Sequence, residues 1–214
     1  MQEIKKMVSK KHPDIILRAI PGHFVTPSAH INYYLDMSML KARQNEAQQT
    51  AKAMADAYVA STIVDTIVCM EGCEVIGAYL AEQLTRAGVL SMNAHKTIYI
   101  TSPELNTAGQ MIFRENLQPM IKDKHVLLLL PTATTGNTMA RAIDSILYYG
   151  GSIVGISAIF SAVSRVHNIP VYALYTMSDI SDYKMSTPDL CPLCKAGQPV
   201  DAIANGYGYS LIRK

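Results

Sequence analysis

The residues best placed to do chemistry lie between His125 and Gly151, in HVLLLLPTATTGNTMARAIDSILYYGG. Thr132, Ala133, Thr134, Thr135, Gly136, Asn137 and Thr138 offer backbone N–H groups and four hydroxyls just ahead of a helical pattern. Unpaired N–H groups and the positive end of a helix dipole both attract an anion, so this segment has the makings of a phosphate cradle. Gly136 would let the backbone approach that anion closely. On loop chemistry alone, an ordinary strand-to-helix turn with threonine caps fits as well.

Cysteines supply a second candidate chemistry. They fall in two pairs, Cys69/Cys73 and Cys191/Cys194. Cys191-Pro-Leu-Cys194 has the spacing of half a zinc site or of a redox pair. A four-sulfur site would need Cys69 and Cys73 to meet it, so free thiols are the default reading and zinc stays open. His23, His30, His95, His125 and His167 show no metal spacing and read as surface or structural, so no metal ligand is assigned. Glu71 follows an apolar run in a loop of small residues, suiting a metal contact or simply the first turn of a helix. Asp36, after paired tyrosines, reads as a strand-end turn residue.

These groups need a framework, and the pattern supplies one. A helix is expected at about 2–11, with Ile4, Met7 and Val8 as its stripe. Residues 15–20 read as extended, Pro21-Gly22 as a turn, and Phe24-Val25 and 31–37 as short strands. A long helix is expected over 38–61. Strand and helix then alternate: strand 66–70, helix 74–87, strand 97–100 and an irregular stretch with helix near 108–115. Strand 126–130, the threonine loop and helix 139–149 follow, the helix carrying Met139, Ile143, Ile146 and Leu147. Strand 153–160, a helical turn near 162–167 and strand 171–175 complete the series. Apolar strands alternating with helices imply an α/β fold with a mostly parallel central sheet and helices on both faces. Ligands of such sheets sit beyond the carboxyl ends of the strands, where the threonine loop falls.

Composition bounds the rest. The chain has 214 residues, 49% hydrophobic and 17% charged, with a formal charge of +2. That is an ordinary folded protein without the basic surface a nucleic-acid partner requires. No apolar run is long enough to span a bilayer, and the N-terminus lacks a signal-peptide core, so a cytoplasmic protein without a membrane partner is expected.

The stretch VLLLLPTATTGNT resembles the 5-phosphoribosyl-1-pyrophosphate (PRPP) loop of the type I phosphoribosyltransferases. Thr134, Thr135, Gly136 and Thr138 match the family's Thr-Thr-Gly-Gly-Thr. Leu130 and Pro131 stand where the family has two acids that hold the ribose hydroxyls and help to position magnesium. Gly22 to Ser28 with Tyr33-Tyr34-Leu35-Asp36 resembles the base-covering hood of the orotate branch. The run from Met70 to Ala78 is similar to the pyrophosphate loop, making Glu71, Gly72 and Cys73 its candidates. Cys191 to Gly197 is similar to the C-terminal hood of some bacterial orotate-type sequences. The family's mobile loop of lysine, arginine and histidine corresponds to Thr101–Met111, which has no basic residue. Arg114 and Lys96 flank it.

The resemblance implies a single phosphoribosyltransferase domain over 1–214, with a core at about 41–177 and a hood at about 1–40 and 178–214. It implies a homodimer in pyrimidine nucleotide metabolism whose partner is a small phosphoribosyl compound or nucleotide, held at residues 132–138. No catalytic residue is assigned. The cofactor is unknown, with magnesium expected only if PRPP carries it. Two functions follow: an orotate-type homologue with impaired phosphoribosyl transfer, or a non-catalytic nucleotide sensor or regulatory protein on the same fold.

Overall fold

The computed structural model describes residues 3–9, 11–86, 91–107, 110–180 and 182–212. The chain opens with β1 (Lys5–Val8), β2 (Ile16–Val25) and β3 (His30–Asp36), then α1 (Ser38–Ala42) and α2 (Gln44–Ala55). Next come β4 (Thr66–Cys69), α3 (Glu74–Arg86), β5 (Tyr99–Thr101), β6 (Glu104–Leu105) and β7 (Met111–Ile112). After these lie β8 (His125–Ala133), α4 (Asn137–Tyr148), β9 (Ser152–Ser161), β10 (Arg165–Val166) and β11 (Ile169–Thr176). The C-terminal part holds β12 (Met185–Ser186), α5 (Pro192–Lys195), β13 (Ala202–Ala204) and β14 (Tyr209–Leu211).

The central sheet runs β10-β11-β9-β8-β4-β5 and is parallel from β11 to β5. Its middle strand, β8, is buried on both faces, which is why Val126 to Leu130 is uninterruptedly apolar. Leu127 and Leu129 enter the cluster that also contains residues of α2 and α3. Val126, Leu128 and Leu130 enter the opposite cluster. There α4 lays Met139, Ala142, Ile143 and Ile146 on the sheet at helical spacing. Leu147, expected in that stripe, is 53% exposed, and Ala142 occupies the inner position instead. A second sheet, β12-β3-β2-β13-β14 with β1 on β2, is built from both ends of the chain. Ile15, Leu17 and Phe24 bring it into the same core as Leu127 and Leu129.

Several local expectations are corrected. The segment expected as a helix over 2–11 contains β1, paired antiparallel to β2; residues 1, 2 and 10 lie outside the described residues. A ten-residue stripe is too short to outweigh pairing with a neighbouring strand. Pro21-Gly22 does not end a strand. It lies within β2, where the register to β3 shifts between Pro21 and Phe24, and proline is tolerated at such a bulge. The long helix over 38–61 breaks at Arg43, whose extended backbone (φ −89°, ψ 124°) ends α1 and starts α2, and α2 stops at Ala55. The strand expected at 97–100 falls at Tyr99–Thr101.

Where helix was expected near 108–115, residues 108 and 109 lie outside the described residues, and Met111–Ile112 pairs with Glu104–Leu105 as a hairpin. The turn expected at 162–167 is also a hairpin, with Val166 opposite Ile169. His167 and Asn168 both have positive φ, the geometry of a two-residue hairpin loop.

Candidate functional site

The loop after β8 forms because a buried strand must hand the chain to a helix within three residues. The strand runs beyond Leu130. Thr132 pairs with Phe160 and Ala133 with Ser161, so the first two residues of the expected cradle lie within β8. The free loop is Thr134-Thr135-Gly136. Gly136 makes the reversal with φ +81°, a left-handed backbone that side chains rarely adopt, and a Cβ there would lie 3.2 Å from Val166 Cγ2. It is the N-cap of α4, which starts without a side-chain cap and without an acid in its first turn. Apart from a long 3.5 Å contact from the Asn137 N–H to Thr135 Oγ1, a helix begun this way leaves its first N–H groups and positive dipole end available to an anion.

That helix end opens on a cavity of about 450 Å³ lined by all of residues 131–139, a size suited to a small ligand. Other lining residues come from the second sheet, Ile31 and Tyr34 of β3, and from its connecting segments, Thr26, Ser28, Tyr183 and Gly206. Burial pushes the Tyr34 phenol up to about 12, with Asp36 adding to the shift, so it stays protonated and able to donate. Two cations, Lys41 and Arg141, also reach the cavity. Lys41 Nζ donates to the carbonyls of Glu71 at 2.9 Å and Gly206 at 2.8 Å, tying α1 to the β4–α3 loop and the C-terminal segment. Sequence reasoning passed over Lys41 because it sits in an Ala-, Gln- and Lys-rich stretch, where a lysine reads as solvated surface.

Of the three pyrophosphate-loop candidates, Glu71 lines the cavity. Its φ of 51° and that of Gly72, 82°, turn the chain sharply out of β4. Cys73 points into the core and is fully buried, and burial pushes its thiol far above the ordinary range. Asp36 accepts the Ser38 N–H at 2.9 Å, a turn contact at the start of α1. Arg114 is committed to Glu104 through two 2.7 Å bonds on the surface, so the segment matching the family's cationic loop carries an ion-paired hairpin instead.

Burial raises the Glu71 carboxyl above its ordinary value, with Lys41 opposing the shift. The folded chain therefore binds this proton more tightly than the unfolded chain. The group's contribution to folding falls as pH rises from about 4.3 through the raised value. In its ionised form this carboxylate repels an anionic ligand. Glu71→Gln is expected to tighten ribose 5-phosphate binding several-fold at pH 7, an effect of about 1 kcal/mol. The ratio of wild-type to variant affinity should approach unity as acidification protonates Glu71. Calorimetry across pH checks this, and the ratio cancels the ligand's own titration. A constant ratio would show that the carboxylate does not face the ligand.

The two cysteine pairs do not meet. Cys69 and Cys73 are buried in the central core. Cys191 and Cys194 instead stand beside His23 and His30, with the ligand atoms of all four within 4.8 Å of one another. These histidines are seven residues apart and far in sequence from the cysteines, so spacing gave no sign of the grouping.

Comparison with known proteins places this geometry. Residues 36–184 match the family model described as the phosphoribosyl transferase domain. Orotate phosphoribosyltransferase from Chlorobium phaeobacteroides (strain BS1) is 29% identical over 185 residues, covering 86% of this chain and 87% of that protein. The Wolinella succinogenes orotate phosphoribosyltransferase is 26% identical over 192 residues, covering 83% and 87%. Among solved structures, Aeropyrum pernix orotate phosphoribosyltransferase superposes with a TM-score of 0.52 at 16% identity, covering 85% of this chain and 93% of that one. The Mycobacterium tuberculosis H37Rv orotate phosphoribosyltransferase in complex with PRPP gives 0.51 at 13%, covering 69% and 82%. These superpositions establish the type I phosphoribosyltransferase fold. No helix among the described residues is long and apolar enough to cross a membrane.

Proposed function

We propose, from the premise that this chain belongs to the phosphoribosyl transferase domain family, that it is an orotate-type homologue with attenuated phosphoribosyl transfer. It holds PRPP or a nucleotide 5′-phosphate at Thr134–Thr138. The observation that carries this reading is the uncapped N-terminus of α4, open to a cavity that Lys41 and Arg141 also line. The phosphate sits against the backbone N–H groups and threonine hydroxyls, and the base lies toward Ile31, Tyr34 and Tyr183. Thr132 and Ala133 contribute as the end of β8 beneath the ligand. The reading includes a single domain over the whole chain and a cytoplasmic homodimer in pyrimidine nucleotide metabolism.

Transfer is attenuated for a chemical reason. Pyrophosphate leaves with growing negative charge, which cations must meet in the transition state. The segment 101–111 has no basic residue, Arg114 is paired with Glu104, and Leu130 and Pro131 replace the acids that would hold ribose and magnesium. The same facts favour a second reading, a non-catalytic nucleotide sensor or regulatory protein.

The test pairs calorimetry of ribose 5-phosphate, PRPP and pyrimidine nucleoside monophosphates with a pyrophosphate-release assay using PRPP and orotate. Binding with turnover at least about 100-fold below the median enzyme rate of roughly 10 per second is the expected result. Binding with no turnover selects the sensor. Ordinary turnover removes the attenuation, and absence of binding by all these compounds overturns both readings.

A further inference from the structure

Two histidines and two cysteines meet at the outer end of the second sheet, apart from the residues that line the ligand cavity. His23 comes from the bulged part of β2 and is fully buried; His30 opens β3. Cys191 immediately precedes α5 and Cys194 lies within it. His23 Nε2 is 3.0 Å from His30 Nδ1 and 3.6 Å from each sulfur, and Cys194 Sγ is 3.3 Å from His30 Nδ1. A tetrahedral zinc with bonds of about 2.0–2.3 Å has ligand–ligand edges of roughly 3.3–3.8 Å. The three nitrogen–sulfur contacts fall within that range, and the His23–His30 contact is a few tenths of an ångström shorter.

Hydrogen-bond accounting points the same way. His23 Nδ1 lies 3.0 Å from the Gln198 carbonyl oxygen. A carbonyl only accepts, so Nδ1 carries the proton and Nε2 presents a single lone pair. His30 Nδ1, Cys191 Sγ and Cys194 Sγ all lie within 3.6 Å of Nε2, which in the neutral ring can accept from only one of them. A central cation satisfies all four atoms together. The Nδ1–H to carbonyl contact is also the outer-shell partner that orients a metal-bound imidazole.

We propose that His23, His30, Cys191 and Cys194 form a structural zinc site that fastens the C-terminal segment onto β2 and β3. Two thiolates balance the charge of the ion, and binding releases their protons to solvent. Four protein ligands leave no open position, which makes the site structural rather than catalytic. Its consequence reaches the ligand cavity through the chain itself. Immediately after the site, β13 pairs with β2 at Phe24 and Val25, and Asn205 and Gly206 then form part of the cavity wall. Soft sulfur and imidazole ligands in a tetrahedron select zinc over hard cations such as magnesium.

The experiment measures the metal directly. The full-length protein, purified under reducing conditions without chelator, is assayed by elemental analysis beside Cys194→Ser and His23→Ala. About one equivalent of zinc per chain is expected in the wild type, falling by roughly tenfold or more in each variant. Cys194 is exposed, so the serine variant should fold, and circular dichroism checks it. Replacing zinc with cobalt should give the visible absorption of a tetrahedral thiolate site, and stripping zinc should lower the midpoint of thermal unfolding. Absence of zinc together with no zinc uptake by the reduced protein would overturn the proposal, as would iron in its place or a Cys191–Cys194 disulfide in the folded protein. Zinc retained by both variants would place the metal elsewhere, and an unchanged unfolding midpoint after stripping would remove the structural role. None of these readouts depends on binding of a phosphorylated ligand.

Discussion

Gly136→Val is expected to weaken ribose 5-phosphate binding at least about 100-fold. Two costs combine. Gly136 holds φ +81°, a conformation that a β-branched residue pays heavily to enter. A Cβ would also stand 3.2 Å from Val166 Cγ2, on the hairpin packed behind the loop, and valine adds two methyl groups beyond it. The loop can relieve both only by turning its peptide groups, which are the donors proposed to bind the phosphate. Charge-assisted hydrogen bonds are worth about 1.5–3 kcal/mol each, so misdirecting two removes roughly 3 kcal/mol or more. At about 1.4 kcal/mol per decade, that is a hundredfold. Calorimetry at fixed salt provides the measurement, with thermal unfolding run alongside to confirm a folded variant. A folded variant with wild-type affinity would remove residues 134–138 as the phosphate site.

The glycine could be picked out from sequence because the loop chemistry is local. An apolar run, small residues, threonines and a helical stripe occur in one continuous stretch, so strand, turn and helix were legible there. The extent of β8 was not. Pro131, Thr132 and Ala133 look like loop residues, and it is the neighbouring strand β9 that extends the ladder to Ala133. The same competition converted the expected N-terminal helix into β1 and carried β2 through Pro21. The hidden parts of the site are those assembled across the chain. Lys41 becomes a cavity residue because the break at Arg43 ends α1 beside the β4–α3 loop. His23 and His30 acquire their neighbours when the C-terminal segment returns to β2, about 170 residues later in the chain. Local periodicity contains neither fact.

The two positions that depart from the family's acidic pair face opposite ways, so restoring acids at each should have opposite results. Leu130 is fully buried in the cluster that packs beneath α4, whereas Pro131 lines the cavity. Leu130→Asp puts a carboxyl among Leu128, Ile143 and Ile156 with no partner, and a loss of stability of about 4 kcal/mol or more is expected. Urea unfolding would register it as a large fall in midpoint, or expression would give insoluble chain. Pro131→Asp restores an N–H and presents a carboxylate to the ligand.

Magnesium prefers hard oxygen ligands and keeps several waters, so one carboxylate plus ligand phosphates suffices to hold it. In the wild type neither Leu130 nor Pro131 provides that oxygen, and ribose 5-phosphate affinity should change by less than about twofold when magnesium is added, since the proposed donors are backbone N–H groups and threonine hydroxyls. In Pro131→Asp, PRPP affinity should rise roughly tenfold with magnesium, equivalent to one charge-assisted contact. Titrations of both proteins with and without the ion decide the matter. A strong magnesium dependence of ribose 5-phosphate binding in the wild type would reveal an oxygen ligand elsewhere in the cavity, with Glu71 the first residue to test by substitution, and would refute a metal-independent cradle.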